Sequence, residues 1–241
     1  MRNAVVLTKS KEKRITEDWQ AEFPSLGIYR PRHLLRRVGP MLMGICLDRD
    51  SGGEIYKPIF HVHCLSKAFP VVSLTLGRQL RSDRSGGPDF VQVRFHEEKY
   101  KEAAARMVRQ SLLPLEGDLR LEQVMDAYRH YLSTPMGKLQ AAILYRDVII
   151  LSAWAGDRAS ASKLLAECLR LERQTDLVSD DAAFRHVGGR AGMEAECQEC
   201  IANPALIQQT VDSQIAALGV ENLPTANLIW RNSGDGGRMT S

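Results

Sequence analysis

The sequence has no uninterrupted apolar run long enough to cross a bilayer. A span needs about 20 apolar residues, and the most apolar stretch, Leu139 to Trp154, carries Arg146 and Asp147 at its middle, where each charge costs several kcal/mol in lipid. A cleavable leader is not expected either, because the first apolar patch, Ala4 to Leu7, gives way to Lys9, Lys11, Lys13 and Arg14. The five cysteines are odd in number and lack framework spacing, which argues against a disulfide-stapled domain and for reduced thiols in a cytoplasmic protein. A dominant charge of one sign is missing too: 32 basic against 29 acidic residues leave +3, short of the basic footprint of a dedicated nucleic-acid binder. There is no Gly-x-Ser-x-Gly elbow, no phosphate loop and no dinucleotide fingerprint.

What is present is ordinary globular composition, with 44% hydrophobic and 25% charged residues in 241, enough for one large domain or two small ones. The near-neutral total conceals an asymmetry. Residues 1–40 hold nine basic and four acidic side chains, and residues 176–241 four and nine. The two ends are expected to pack together or to steer a partner.

The stretch from Thr134 to Leu171 organises the rest. Thr134 can cap a helix and Pro135 sits at its first position. The following run, through Leu139, Ala141, Ile143, Leu144, Val148 to Leu151 and Ala153, leaves almost no polar stripe, so this helix is expected to be buried on several sides. Gly156 stops it, and Asp157 caps a second helix whose Ala161, Leu164, Leu165, Cys168 and Leu171 share a face while Lys163 and Glu167 pair four apart. Gly156-Asp157, Ala161, Leu165 and Leu169 resemble the second half of a tetratricopeptide repeat. No second copy recurs at a fixed period, so a solenoid is not expected.

Before this stretch the pattern is mostly extended. Residues 2–8 read as a short strand, Lys9 to Arg14 as a solvated charge run, and Tyr29 to Arg37 as a short helix after Pro31 with Arg32 and Arg36 on one side. Met41 to Leu47 and Ile55 to Leu65 read as a hairpin around the turn at Asp48 to Gly53. Pro58, which cannot donate to a ladder, predicts an edge or a bulge in the second strand. Val71 to Leu76 and Phe90 to Phe95 are the third and fourth strands. After His96 the period is helical: Tyr100 to Leu112, Leu121 to Leu132, the two helices above, a short helix through Met193, Cys197, Cys200 and Ile201, and a last one from Asn203-Pro204 to Gly219. The loop at 175–191 and a disordered tail at 232–241 complete the chain. Strands first and helices after predict an α+β fold, with an antiparallel sheet of about four strands and about six helices. The corresponding boundaries are 1–96 for a mainly β subdomain and 97–231 for a helical one.

Several clusters could carry chemistry. His61 and His63, alternating on a strand, project to one face and could both reach a metal. A carboxylate should complete that site, and residues 65–68 offer none; the alternative is hydrogen bonding on the exposed face of the sheet. Cys64 points to the opposite face, out of reach of activation by His63. Cys197 and Cys200 match half of a zinc site without a second pair, and they coincide with an apolar helix face. His186 to Gly192, with Arg185 and Arg190, could cradle an anion but fits a connector better. Arg30, Arg32, Arg36 and Arg37, with Arg78, Arg81 and Arg84, could bind phosphates, with Tyr29 stacking on a base. Arg146 and Asp147 are the remaining binding candidates. Neighbours on a helix do not face each other, so each should find its own partner, with Asp126 or Glu122 for Arg146.

The sequence therefore points to a cytoplasmic, non-enzymatic protein-binding module without a cofactor, an adaptor or an inhibitor that neutralises a partner protein. The alternatives are a metal-dependent hydrolase or oxidoreductase built on His61 and His63, and a nucleic-acid or phosphate binder built on the arginine clusters.

Overall fold

A computed structural model describes residues 8–175 and 189–230. The architecture is α+β, an N-terminal five-strand antiparallel sheet followed by a region of six helices among the described residues. Two compact units divide the chain. The first takes residues up to 63, 72–119 and 220–227, and the second 64–71, 120–219 and the segment after 227. The boundary expected at residue 96 falls inside the first unit.

In the first unit, α1 (Lys9–Glu22) begins at Thr8, whose side chain accepts from the Lys11 N–H at 3.4 Å. The charge run at 9–14 is therefore the first half of a helix, not a free segment. Its charges form the solvent side, with Lys13 paired to Glu17 and Arg14 to Asp18, each at 3.7 Å. Ile15, Thr16 and Trp19 form the buried side. The expected helix at Tyr29 to Arg37 is a hairpin instead, β1 (Gly27–Arg30) and β2 (His33–Val38). Arg32 turns it at φ 65°, a left-handed conformation unfavourable for a side chain. Contacts from distant residues hold it there: its N–H donates to Thr16 Oγ1 at 2.9 Å, Nη1 donates to the Leu47 carbonyl at 3.0 Å, and Nε pairs with Glu12.

β3 (Met41–Arg49) and β4 (Ile55–Cys64) form the expected central hairpin, and Asp50 Oδ1 accepts the Glu54 and Ile55 N–H groups in its turn. The strand order is β1-β2-β3-β4-β5, where β5 is Thr75–Gln79. Short strands β6 (Val91–Gln92) and β8 (Thr225–Ala226) add to β4 and β2. Pro58 fits between them. β6 pairs with Ile55 and Tyr56 while β5 pairs from Ile59 onward. The Pro58 carbonyl accepts from Leu80, so its missing N–H faces the same edge, in the gap between the two short strands. A register irregularity at Phe60 to Val62 supplies the bulge.

The third strand lies later than expected, because pairing selects Thr75 to Gln79 and leaves Val71 half exposed. The fourth strand is only two residues long. Val93–Phe95 is a 3-10 turn that leads into α2 (His96–Gln110).

After β7 (Leu119–Arg120), the second unit takes α3 (Leu121–Leu132), α4 (Pro135–Leu139), α5 (Ala141–Trp154) and α6 (Arg158–Thr175). Then come α7 (Gly189–Ala202), α8 (Ala205–Leu218) and β9 (Leu228–Ile229). α5 is buried except at Ile143 and Trp154 and touches α3, α4, α6, α7 and α8. The single helix expected from Thr134 to Trp154 is broken at Gln140. Thr134 does cap, accepting the Gly137 N–H at 3.0 Å. However, Gly137 lies so close to the Tyr131 carbonyl that a Cβ there would sit 1.8 Å from its oxygen. The chain turns after this contact, and Leu139 is left 78% exposed. Asp157 caps α6 through the Ser160 N–H, and Gly219 ends α8 at φ 65°. The expected strand at 2–8 falls almost wholly outside the described residues, as do the tail at 232–241 and most of the 175–191 connector. No described helix is long and apolar enough to cross a membrane.

Candidate functional site

The two histidines of β4 are buried, at 0% and 2% exposure for His61 and His63, and so do not lie on an open sheet face. His61 Nε2 is 2.7 Å from Nε2 of His33, a third histidine that β2 brings to the cluster. The His63 ring accepts the Ser73 backbone N–H at Nδ1, at 3.1 Å, with Ser73 Oγ 2.9 Å away. A neutral imidazole has one donor and one acceptor, so His63 must carry its proton on Nε2, and that atom has no lone pair for a metal. His61 Nδ1, His63 Nε2 and the neighbouring Tyr29 hydroxyl are buried without a hydrogen-bond partner among the described residues. Burial holds His33 and His63 down to about 4, with Arg30 and Arg32 adding to the effect on His33, and also depresses His61 well below its ordinary value. Among the described residues no three His, Cys, Asp or Glu side chains gather in metal-binding geometry.

A second buried chain was not legible in the sequence. Trp19 Nε1 donates to the Tyr56 hydroxyl at 3.1 Å, that hydroxyl lies 2.8 Å from His96 Nδ1, and His96 Nε2 lies 2.9 Å from Asp18 Oδ2. The order carboxylate, imidazole, hydroxyl is that of a proton relay. Here the hydroxyl already has both partners and zero exposure, so the chain ties α1, β4 and α2 together.

Two of the arginines, Arg32 and Arg36, are engaged by the fold, whereas Arg30, Arg81 and Arg84 are exposed and Arg37 and Arg78 half-buried. Arg36 is 2% exposed, and its guanidinium donates to the Gly117 and Pro114 carbonyls at 2.8 and 2.9 Å. Arg32 closes the β1–β2 turn, Arg30 stacks on Tyr29, and Arg81 donates to the Gly86 carbonyl. The thiols are unsuited to nucleophilic work, since burial pushes Cys46 up to about 11 and Cys64 and Cys197 up to about 12.

Arg146 and Asp147 are both buried. The Arg146 partner is Glu196 of α7, gripped through Nε and Nη2 at 2.9 and 2.6 Å. Asp126 pairs with Arg129 instead. The α5 face carrying Arg146 meets α7, a pairing that no local pattern announces. Asp147 accepts from the Tyr128 hydroxyl at 3.1 Å. Despite the angle between neighbours on a helix, the long arginine brings Nη1 within 3.7 Å of Asp147 Oδ1. Desolvation outweighs these partners and raises Asp147 to about 6. The pair is a structural tie rather than part of an open cleft.

One open feature of the described second unit is a cleft of about 730 Å³ where α3 faces the α5–α6 turn, a volume suited to a ligand or to a few side chains of a partner. Leu121, Met125 and Leu164 give it apolar surface, with Trp230 beside them. Trp230 in turn packs on Trp154 at 4.9 Å between ring centroids. Six charged side chains surround the space: Glu122, Arg129, Asp157, Arg158, Lys163 and Glu167. The expected Lys163–Glu167 pair does not form, because Glu167 accepts from the Tyr145 hydroxyl at 3.2 Å. Sequence reading found the turn and the caps here, but not the cleft, since α3, α6 and Trp230 lie far apart in the chain.

No protein-family model matches this chain, and no curated protein or solved structure is significantly similar to it.

Proposed function

We propose that this chain is a non-enzymatic protein-binding module, an adaptor or an inhibitor that neutralises a partner, and that the α3–α5–α6 cleft receives part of that partner. One observation carries the reading: His61, His63, Cys64 and Cys197 are buried, whereas the α3–α5–α6 cleft is open, partly apolar and lined by charges. An interaction site needs an apolar centre with a polar rim, and the cleft has both. A catalytic site needs a nucleophile or base within reach of a substrate. His61, His63, Tyr56 and the Cys64 and Cys197 thiols are instead enclosed by protein.

The test is site-specific photocrosslinking in cells of the source organism. A photoreactive side chain at Ala159, on the cleft wall, is expected to yield one discrete protein adduct, while the same group at exposed Lys99 on α2 yields none. Absence of an adduct at Ala159, or the same diffuse products at both positions, would overturn the proposal.

A further inference from the structure

We infer that residues 231–241 of this chain return into the α3–α5–α6 cleft, with Met239 as their apolar anchor, so that a partner must displace them; this deepens the protein-binding reading and rests on it. Net charge selects no occupant here. Glu122, Asp157 and Glu167 balance Arg129, Arg158 and Lys163 around the space, and Asp157 and Glu167 keep their charge while the Ser160 N–H and the Tyr145 hydroxyl donate to them. What remains is proximity and apolar surface, and both favour the chain itself.

Proximity comes from Trp230. Its ring is part of the cleft lining and packs on Trp154 at 4.9 Å between centroids, so the next residues start from the wall of the cleft. Met239 lies nine positions on, a reach of roughly 30 Å when extended, more than is needed to turn back over a cleft of about 730 Å³. Gly234, Gly236 and Gly237 stand between, the residue type that accepts the backbone angles of a reversal. So short a tether gives a local concentration on the order of millimolar, against which a diffusing partner must compete.

The lining supplies the rest. Met239 is the one large apolar side chain among residues 231–241, and a thioether chain moulds to irregular surface such as that of Leu121, Met125 and Leu164. Trp230 adds an independent reason. Its Nε1–H is buried without a hydrogen-bond partner among the described residues, and a buried donor calls for an acceptor. The main-chain carbonyls of a returning segment provide one.

The experiment uses the full chain with the photoreactive group at Ala159, purified and illuminated alone as an equal mixture of isotope-labelled and unlabelled protein. Mass spectrometry reads which peptide is joined to Ala159 and whether both halves carry the same isotope. The expected product joins Ala159 to residues 231–241 within one molecule, and Met239→Glu lowers its yield roughly tenfold. In cells the same Met239→Glu raises the partner adduct. Circular dichroism checks that the variant keeps the fold. Products of mixed isotope would place a second copy in the cleft and overturn the inference. So would crosslinks confined to the cleft walls, or a yield that Met239→Glu leaves unchanged. Each of these leaves the protein-binding reading standing. A partner adduct missing from the unchanged chain in cells would overturn that reading and the competition with it.

Discussion

At the level of single residues, His63 shows how a side chain's chemistry is fixed by what its other ring atom does. Because Ser73 N–H donates to Nδ1, the proton belongs on Nε2. Long-range nitrogen–proton NMR at pH 7 should show His63 as the Nε2–H tautomer, unchanged by added zinc. A zinc-dependent shift would restore the metal reading of His61 and His63. The alternation of these two histidines was visible in the sequence. The reach of His33 was not, since it comes from a strand 28 positions earlier. The same holds for Tyr56, whose hydroxyl is bounded by Trp19 and His96. Tyr56→Phe should leave a buried N–H and a buried ring nitrogen without partners and cost about 1–3 kcal/mol. An unchanged urea midpoint would mean that a water satisfies both and that the chain is not a tie.

Elements were legible where the pattern is long and its cause local. α5 was recognisable because so apolar a run closed by a glycine has few alternatives. Replacing Leu144 or Ile150, both fully buried, by Ala should lower stability by about 2–5 kcal/mol, measured by chemical denaturation. A loss within a few tenths of a kcal/mol would show that α5 is not the centre of its unit. The Tyr29 to Arg37 segment was misread for the opposite reason. Its arginines suggested a solvated helix, but the ladder to β3 and carbonyl acceptors for Arg36 override local preference, as tertiary pairing commonly does for strands. The break at Gln140 was hidden likewise, because the close approach of Gly137 to the Tyr131 carbonyl is a contact that helical periodicity does not announce. The cleft lay beyond reach altogether, being a property of three separated segments.

For the molecule as a whole, the two units carry buried groups with opposite pH responses. In the first unit burial holds His33 and His63 down to about 4 and His61 well below its ordinary value. As pH falls below 6.5, the unfolded chain binds protons that the folded unit refuses, so this unit loses stability down to about pH 4. In the second unit Asp147 is raised to about 6. As pH rises from 4 to 6, the unfolded chain releases a proton that the folded unit keeps, so this unit loses stability in the opposite direction, by about 3 kcal/mol at most. The three tryptophans report separately, Trp19 from the first unit and Trp154 and Trp230 from the second. With fluorotryptophan incorporated, fluorine NMR should resolve them during urea unfolding. Between pH 6 and pH 4.5 the Trp19 midpoint should fall while the Trp154 and Trp230 midpoints rise. His63→Gln should flatten the first response and Asp147→Asn the second, with Asp147→Asn no less stable than the parent at pH 7, where the parent holds a buried carboxylate largely ionised. Three signals that move together with one slope would show that the units unfold as a single body, and a Trp19 midpoint that rises on acidification would contradict the buried, neutral histidines from which the slope is derived.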